Sequence, residues 1–205
     1  MANTVALIDY GAGNLHSVHN ALKAVGASVM VTSDTAVVAN ADRIVLPGVG
    51  AFGACMAGLG AIEGMAQTLE QRVMGDAVPF LGICVGMQLM AEYGVEHGRQ
   101  PGLGWVAGAV ERIEPRGDER VPHMGWNAVQ PTGPDSLVRP GEAYFLHSYA
   151  FRGGEEGDAV RAVTAHGGEV VAAIQTGTAL GVQFHPEKSQ AYGLDLLSRF
   201  LEWKP

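Results

Sequence analysis

Only two cysteines, Cys55 and Cys84, occur in the chain, and no C-x-x-C pair. That excludes a disulfide framework and the usual structural-zinc spacings. Positive charge is also scarce: 13 Lys and Arg stand against 21 Asp and Glu, for a formal net charge of −8. A nucleic-acid backbone or an anionic membrane is therefore not expected as the main partner. No apolar run approaches the roughly 18 residues of a membrane-spanning helix. The opening "MANTVALIDYGAGN" carries no basic leader, and its short apolar run is expected to be a first strand rather than a signal peptide. Low-complexity linkers and internal repeats are missing too, so residues 1–205 are expected to form a single domain. What remains is 47% apolar and only 17% charged, the composition of a compact globular protein. The cysteine usage points to a reducing, cytoplasmic setting, where a lone cysteine is either packing or chemistry.

The first half of the chain alternates between two periodicities. "TVALIDY", "SVMVT", "RIVLPG" and "VPFLGIC" are short apolar, β-leaning runs. Between them "NLHSVHNALKAVG", "TAVVANAD" and "AFGACMAGLGAIEGMAQTLEQRVM" have helical spacing, and a further helix is predicted after Cys84. Near-continuous apolar strands separated by helices imply an α/β fold with an open, mostly parallel sheet covered by helices. From about Gly102 the texture changes. "GWVAGAVERIEP", "VPHMGWNAVQ", "EAYFLHSYAFR", "DAVRAVTAHGG" and "EVVAAIQTGTALGVQFHP" predict additional antiparallel strands, and "AYGLDLLSRFLEW" a closing amphipathic helix. Loops beyond the carboxyl ends of parallel strands carry function in such sheets. That edge should hold Asn14, the Pro47-to-Gly53 loop and Cys84.

Several motifs compete for that edge. "GVGAFG", Gly48 to Gly53, matches the dinucleotide fingerprint G-x-G-x-x-G, but it follows the third strand rather than the first. The acids downstream, Glu63 and Glu70, fall in a helical stretch instead of ending the next strand. Glycines also let backbone N–H groups approach an oxygen closely, which an oxyanion site exploits. In "GAGN", Asn14 fits a helix N-cap. Cys55 shares helical spacing with Met56, Leu59 and Ile62 and reads as core.

Cys84 lies where a strand hands over to a helix, with Gly82 and Gly86 on either side. This resembles the nucleophile elbow with cysteine in place of serine, and the helix N-terminus would favour a thiolate. The Val85 N–H would then face a developing oxyanion. On this stretch alone a buried structural thiol fits as well.

A nucleophilic cysteine needs a base, and the base an orienting partner. Of the seven histidines, His16, His19, His97 and His166 lie in helix or loop contexts without a motif, and His123 and His147 in strand-like stretches. His185 ends an apolar strand in "GVQFHPEKS", with Pro186 next and Glu187 beyond. On an extended backbone His185 and Glu187 would share a face, letting the carboxylate hold one imidazole nitrogen while the other faces a thiol.

"GICVGMQLM" followed far downstream by "GVQFHPE" resembles the class I glutamine amidotransferases, with Cys84, His185 and Glu187 in the positions of the triad. The resemblance covers essentially the whole chain. It implies hydrolysis of L-glutamine to glutamate and ammonia through a γ-glutamyl thioester on Cys84, with no metal or organic cofactor. "IDYGAGNLHSV", "LPGVGAFG", "PHMGWN" and "YFLHSYAF" are further similar to the histidine-biosynthesis branch of that family. That branch implies a heterodimer with a cyclase subunit built as a (β/α)8 barrel. There ammonia reacts with the ribonucleotide PRFAR to give imidazole glycerol phosphate and AICAR.

Residue by residue, the resemblance assigns Gly48, Val49, Gly50 and the Val85 N–H to the oxyanion site and substrate backbone. It assigns Gln88, Ser148 and Tyr149 to the glutamine seat, and Asn14, Met124, Trp126 and Lys188 to the partner-facing surface. Trp126 is also consistent with a core position and Lys188 with a solvated charge. Three other readings share part of the pattern. They are the glutaminase of an anthranilate, aminodeoxychorismate, guanylate or pyridoxal phosphate synthase, a free-standing γ-glutamyl hydrolase or peptidase-like relative, and a non-catalytic binding module.

Overall fold

The computed structural model describes residues 4–114, 116–133, 136–153 and 159–204. Pro115, which closes one expected run, and Asp158, which opens another, lie outside them. The four apolar runs of the first half form parallel strands β1 (Thr4–Ile8), β2 (Ser28–Thr32), β3 (Arg43–Gly48) and β4 (Phe80–Cys84). Every residue of β3 and β4 is buried, as a strand covered on both faces requires, whereas the edge strand β2 has no buried residue. Helix α1 (Leu15–Ala24) buries Val18, Ala21 and Leu22, one stripe at helical spacing.

The long helix expected over residues 51–74 is broken. It runs as α3 (Phe52–Gly60) and α4 (Met65–Leu69), then a π-helical turn over Glu70–Gly75, while the short helix expected before β3 forms as α2 (Thr35–Ala39). Gly64 adopts a left-handed conformation at φ 75 and lets the chain re-enter with Met65 fully buried. The helix after Cys84 is also shorter than expected: α5 is the single turn Val85–Gln88. Leu89, Met90 and Ala91 are all fully buried. Three consecutive buried apolar residues suit a covered extended segment, not one face of a helix. The chain accordingly enters β5 (Ala91–Gly94), while the N–H groups of Leu103 and Trp105 bond to the carbonyls of Leu89 and Met90.

The second half supplies β6 (Gln100–Pro101), β7 (Val106–Arg112), β8 (His123–Pro131), β9 (Gly141–His147), β10 (Tyr149–Gly153), β11 (Val160–Ala165), β12 (Glu169–Thr176) and β13 (Ala179–Val182). The nine-stranded sheet has the order β2-β1-β3-β4-β13-β12-β11-β8-β9, and a four-stranded sheet the order β10-β7-β5-β6. β13 lies parallel to β4, and from there to β9 every pairing is antiparallel. The expected single run "EAYFLHSYAFR" divides at Ser148, which turns the chain out of the large sheet and into the small one.

The last helix, α6 (Gln190–Glu202), packs beside α1 and buries Leu196, Leu197, Phe200 and Leu201. Its final carbonyls would otherwise lack partners. Buried Arg43, at the start of β3, donates to Phe200 O at 3.0 Å and Trp203 O at 2.7 Å. The carboxyl end of the chain is thereby tied to the middle of the sheet.

Candidate active site

At the end of β4 the backbone turns sharply into α5. Cys84 sits on the turn at φ 53 and ψ −110, a region sparsely populated by residues with a side chain and costing on the order of 1–3 kcal/mol. The glycines around it permit the crowding. A Cβ on Gly82 would lie 2.6 Å from the Gly86 carbonyl oxygen, and one on Gly86 would lie 1.9 Å from the Leu46 carbonyl oxygen. With α5 only one turn long, the N-terminal field expected to favour a thiolate is that of a few N–H groups, not of a long helix. Cys84 is 3% exposed; its sulfur accepts from Gln183 Nε2 at 3.6 Å and lies 3.9 Å from the Leu146 carbonyl.

His185 comes to Cys84 by a route the sequence reading did not anticipate. β13 ends at Val182, and Pro186–Lys188 form a 3-10 turn instead of an extended segment. Proline suits the first position of such a turn because its φ is already set. The turn curls the Glu187 carboxylate back, and His185 Nδ1 donates to Glu187 Oε1 at 2.9 Å. Both side chains are buried, 2% and 1% exposed. The backbone is pinned on both sides: the His185 N–H donates to Tyr144 O, and the Ser189 hydroxyl to His185 O. Burial alone would lower the His185 pKa, but hydrogen bonding to Cys84 and Glu187 and their negative charge outweigh it, lifting the imidazolium to about 9.

Cys84 and His185 open onto a cleft of about 340 Å³, whose wall also includes Val49, Gly50, Val85, Gln88, Ser148 and Tyr149. Gly48 is not in that wall. It lies beneath, paired in register with Cys84, where a Cβ would be 2.7 Å from Gly86 N and 2.8 Å from the Tyr10 hydroxyl. Tyr10 in turn donates to the Pro47 carbonyl at 2.7 Å, fixing the loop from below. Gly50 has φ 111, open to glycine. Cys55 is core, as expected, and its thiol faces the Val49 carbonyl at 3.6 Å.

Four wall residues escaped the sequence reading: Glu96, Pro122, Leu146 and His147. Pro122 and His147 flank motif residues already singled out, which was a usable signal. Glu96 had none, since its place depends on accepting the Phe52 N–H from a distant helix start at 2.9 Å. His147 belongs to a buried group. His123 is sandwiched between His166 and Phe145, with ring centroids 4.1 and 4.7 Å away. Burial holds His123 down to about 4 and His147 to about 3, so both imidazoles are neutral. Among the described residues, no group of three or more His, Cys, Asp or Glu side chains is arranged to hold a metal ion.

The remaining predicted residues, Asn14, Met124, Trp126 and Lys188, lie outside the cleft wall. Trp126 is not core: it is 47% exposed, as Met124 is 65% exposed, on the outward face of β8. Their cross-strand neighbours are Tyr144 and Leu146, and Leu146 reaches the cleft wall. Lys188 is half-buried with Nζ 5.9 Å from the centre of the Tyr144 ring, a placement that attracts a cation to the ring face. Asn14 occupies the N-cap position of α1 but its side chain makes no capping bond, because its backbone is not in the extended conformation that would aim it there.

The family description "Glutamine amidotransferase class-I" matches residues 6–202. "Imidazole glycerol phosphate synthase subunit HisH" of Zymomonas mobilis is 54% identical over 209 residues, covering 100% of this chain and 98% of the relative. The subunit of the same name from Caulobacter vibrioides is 48% identical, covering 98% and 99%. Among solved structures, one titled "Crystal structure of glutamine amidotransferase" superposes with a TM-score of 0.75 at 23% identity, covering 97% of each chain. One titled "Structure of PurLQS from Thermotoga maritima" does so with a TM-score of 0.72 at 16% identity, covering 98% and 97%. At these identities the structural likenesses carry the fold alone.

Proposed function

The chain belongs to the class I glutamine amidotransferases, and from that membership we propose that residues 1–205 act as one glutaminase domain hydrolysing L-glutamine at Cys84. The observation that carries this reading is the assembly of Cys84, His185 and Glu187 at a strained elbow opening on a cleft. Cys84 attacks the side-chain amide carbon as a thiolate, its proton having passed to His185. The Val85 N–H, with the Val49–Gly50 loop opposite, faces the developing oxyanion. His185 then protonates the departing nitrogen as ammonia leaves and the γ-glutamyl thioester forms. In the second half the imidazole takes a proton from water, which attacks the thioester and releases glutamate. Glu187 keeps the ring oriented throughout.

Glutamine sits against Gln88, Ser148 and Tyr149. The Gln88 amide nitrogen is committed to Tyr149 O at 2.9 Å and Gln183 Oε1 at 3.0 Å, so its oxygen is the atom left for a substrate N–H. The Glu96 carboxylate, in the same wall, complements the α-ammonium group of an amino acid.

Ammonia made here is passed to a cyclase subunit, a (β/α)8 barrel forming a heterodimer over Asn14, Met124, Trp126 and Lys188. The cyclase makes imidazole glycerol phosphate and AICAR from PRFAR in histidine biosynthesis. Exposed Met124 and Trp126 support this, because Leu146, the cross-strand neighbour of Met124, also lines the cleft. The activity is assigned to the cytoplasm, where the thiol stays reduced. The test is a glutaminase assay with and without the cyclase and its nucleotide, together with intact mass of a glutamine-quenched sample. A γ-glutamyl adduct on Cys84, absent in Cys84→Ala, and strong stimulation by the loaded cyclase are expected. Full turnover without a partner, or ammonia delivery only to a different synthase, would overturn the assignment.

A further inference from the structure

Behind Cys84 and Gln88 in the cleft wall runs a row of polar groups, Gln183, His147, His123 and Asn127, that the hydrolysis as described does not use. Its directions can be worked out from two carbonyl oxygens, which can only accept. The Tyr149 carbonyl receives Gln88 Nε2 at 2.9 Å and His147 Nδ1 at 2.9 Å. On one arm, Gln88 Nε2 spends its second hydrogen on Gln183 Oε1 at 3.0 Å. That fixes the orientation of the Gln183 amide, and Gln183 Nε2 must present its N–H to the Cys84 sulfur, 3.6 Å away. On the other arm, His147 donates from Nδ1, so its Nε2 accepts from His123 Nδ1 at 3.1 Å. His123 Nε2 then accepts from Asn127 Nδ2 at 3.0 Å, whose remaining hydrogen goes to the Ala165 carbonyl at 2.8 Å. Both rings are held as neutral Nδ1–H tautomers, since a further proton on either would face another donor.

We propose that Gln183 is a positioning residue for the nucleophile: its amide, given a single orientation by Gln88 and the Tyr149 carbonyl, directs an N–H at the Cys84 sulfur. The proposal rests on Cys84 being the nucleophile of the hydrolysis above. Gln183 is completely buried and does not line the cleft, so it acts on substrate only through Cys84 and Gln88. The sulfur thereby has a fixed donor on one side and the Leu146 carbonyl at 3.9 Å on the other. The donor favours the sulfur when it is negatively charged, and the carbonyl accepts its hydrogen when it is not. Together they hold the side chain in the rotamer that points into the cleft. The Asn127–His123–His147 arm keeps the Tyr149 carbonyl in place, and with it the origin of the direction.

Two readouts separate positioning of the sulfur from mere support of the fold. Gln183→Met keeps the volume and removes the donor, and Gln183→Glu keeps the shape and puts a carboxylate beside the sulfur. In the complex with the cyclase, Gln183→Met is expected to lower kcat for glutamine about tenfold with KM within about twofold, the loss of one hydrogen bond to a charged group. Alkylation of Cys84 by iodoacetamide, read by peptide mass, should slow by a similar factor, and more in Gln183→Glu. Wild-type kcat and alkylation rates in either folded variant would overturn the proposal. So would a raised KM with unchanged kcat, which would assign Gln183 to the substrate seat through Gln88. Should Gln183→Met fail to fold, Gln183→Glu alone decides by the same rates, and failure of both to fold would make Gln183 a structural residue and also overturn it. Alkylation needs neither glutamine nor partner, so a wild-type complex that hydrolyses no glutamine would refute the assigned reaction while leaving this contact measurable.

Discussion

Cys84 combines the side chain proposed as nucleophile with a backbone conformation that its side chain makes costly. Activity and stability should therefore separate at this position. Cys84→Gly and Cys84→Ala are both expected to abolish glutaminase activity, with the glycine variant more stable by about 1 kcal/mol in urea unfolding, because only glycine adopts that φ freely. Gly86 is the opposite case: Gly86→Ala drives a methyl into the Leu46 carbonyl and should lose at least about 2–3 kcal/mol by the same measurement. The buried histidines set a pH profile. His185 is raised to about 9 from 6.5. Its contribution to stability is complete below 6.5 and is lost as pH rises through 9. His123 and His147 are lowered to about 4 and about 3. Their neutral forms favour the fold above 6.5, and that advantage is lost as pH falls toward those values, when the unfolded chain takes up protons that the folded one refuses. Stability measured by denaturant titration should peak near pH 6.5, with each histidine contributing a slope of at most about 1.4 kcal/mol per pH unit.

Among the elements, the parallel half of the sheet was legible because its strands are uninterrupted apolar runs with helices between them. The site was legible where chemistry forced a residue type: a thiol between glycines, and an imidazole with a carboxylate two residues on. The geometry joining that imidazole and carboxylate was not. The alternation of an extended strand was expected, and a 3-10 turn achieves the contact, since both local geometries can bring residues two apart together around a proline. Gln183 and Glu96 were invisible for a different reason: each is defined by a partner 99 and 44 residues away. β8 offers a test at this scale. Its two faces have different neighbours, His123 and Asn127 inward, Met124 and Trp126 outward. Trp126→Ala should leave the unfolding midpoint nearly unchanged while weakening association with the cyclase about thirtyfold or more by titration calorimetry, as an exposed tryptophan at the centre of an interface would.

At the scale of the whole molecule, the sheet is two halves joined at one seam, β4 against β13. The residues proposed to be catalytic lie on both sides of it, Cys84 on β4 and His185 just past β13. Buried Arg43 reinforces the seam's neighbourhood by holding the end of α6. Arg43→Met should cost about 2–4 kcal/mol, the loss of two charge-assisted bonds to otherwise unpartnered carbonyls, and should expose the last helix to early proteolysis.

The seam also sets a timetable for synthesis. Gln183 follows Cys84 by 99 residues, which at about 5–20 residues per second is roughly 5–20 s of translation. During that interval β4 lacks one of its two neighbours and Cys84 lacks His185. Under the proposed hydrolysis, a ribosome-bound chain would therefore hold the thiol inert, and glutamine would be safe from it until β13 is threaded.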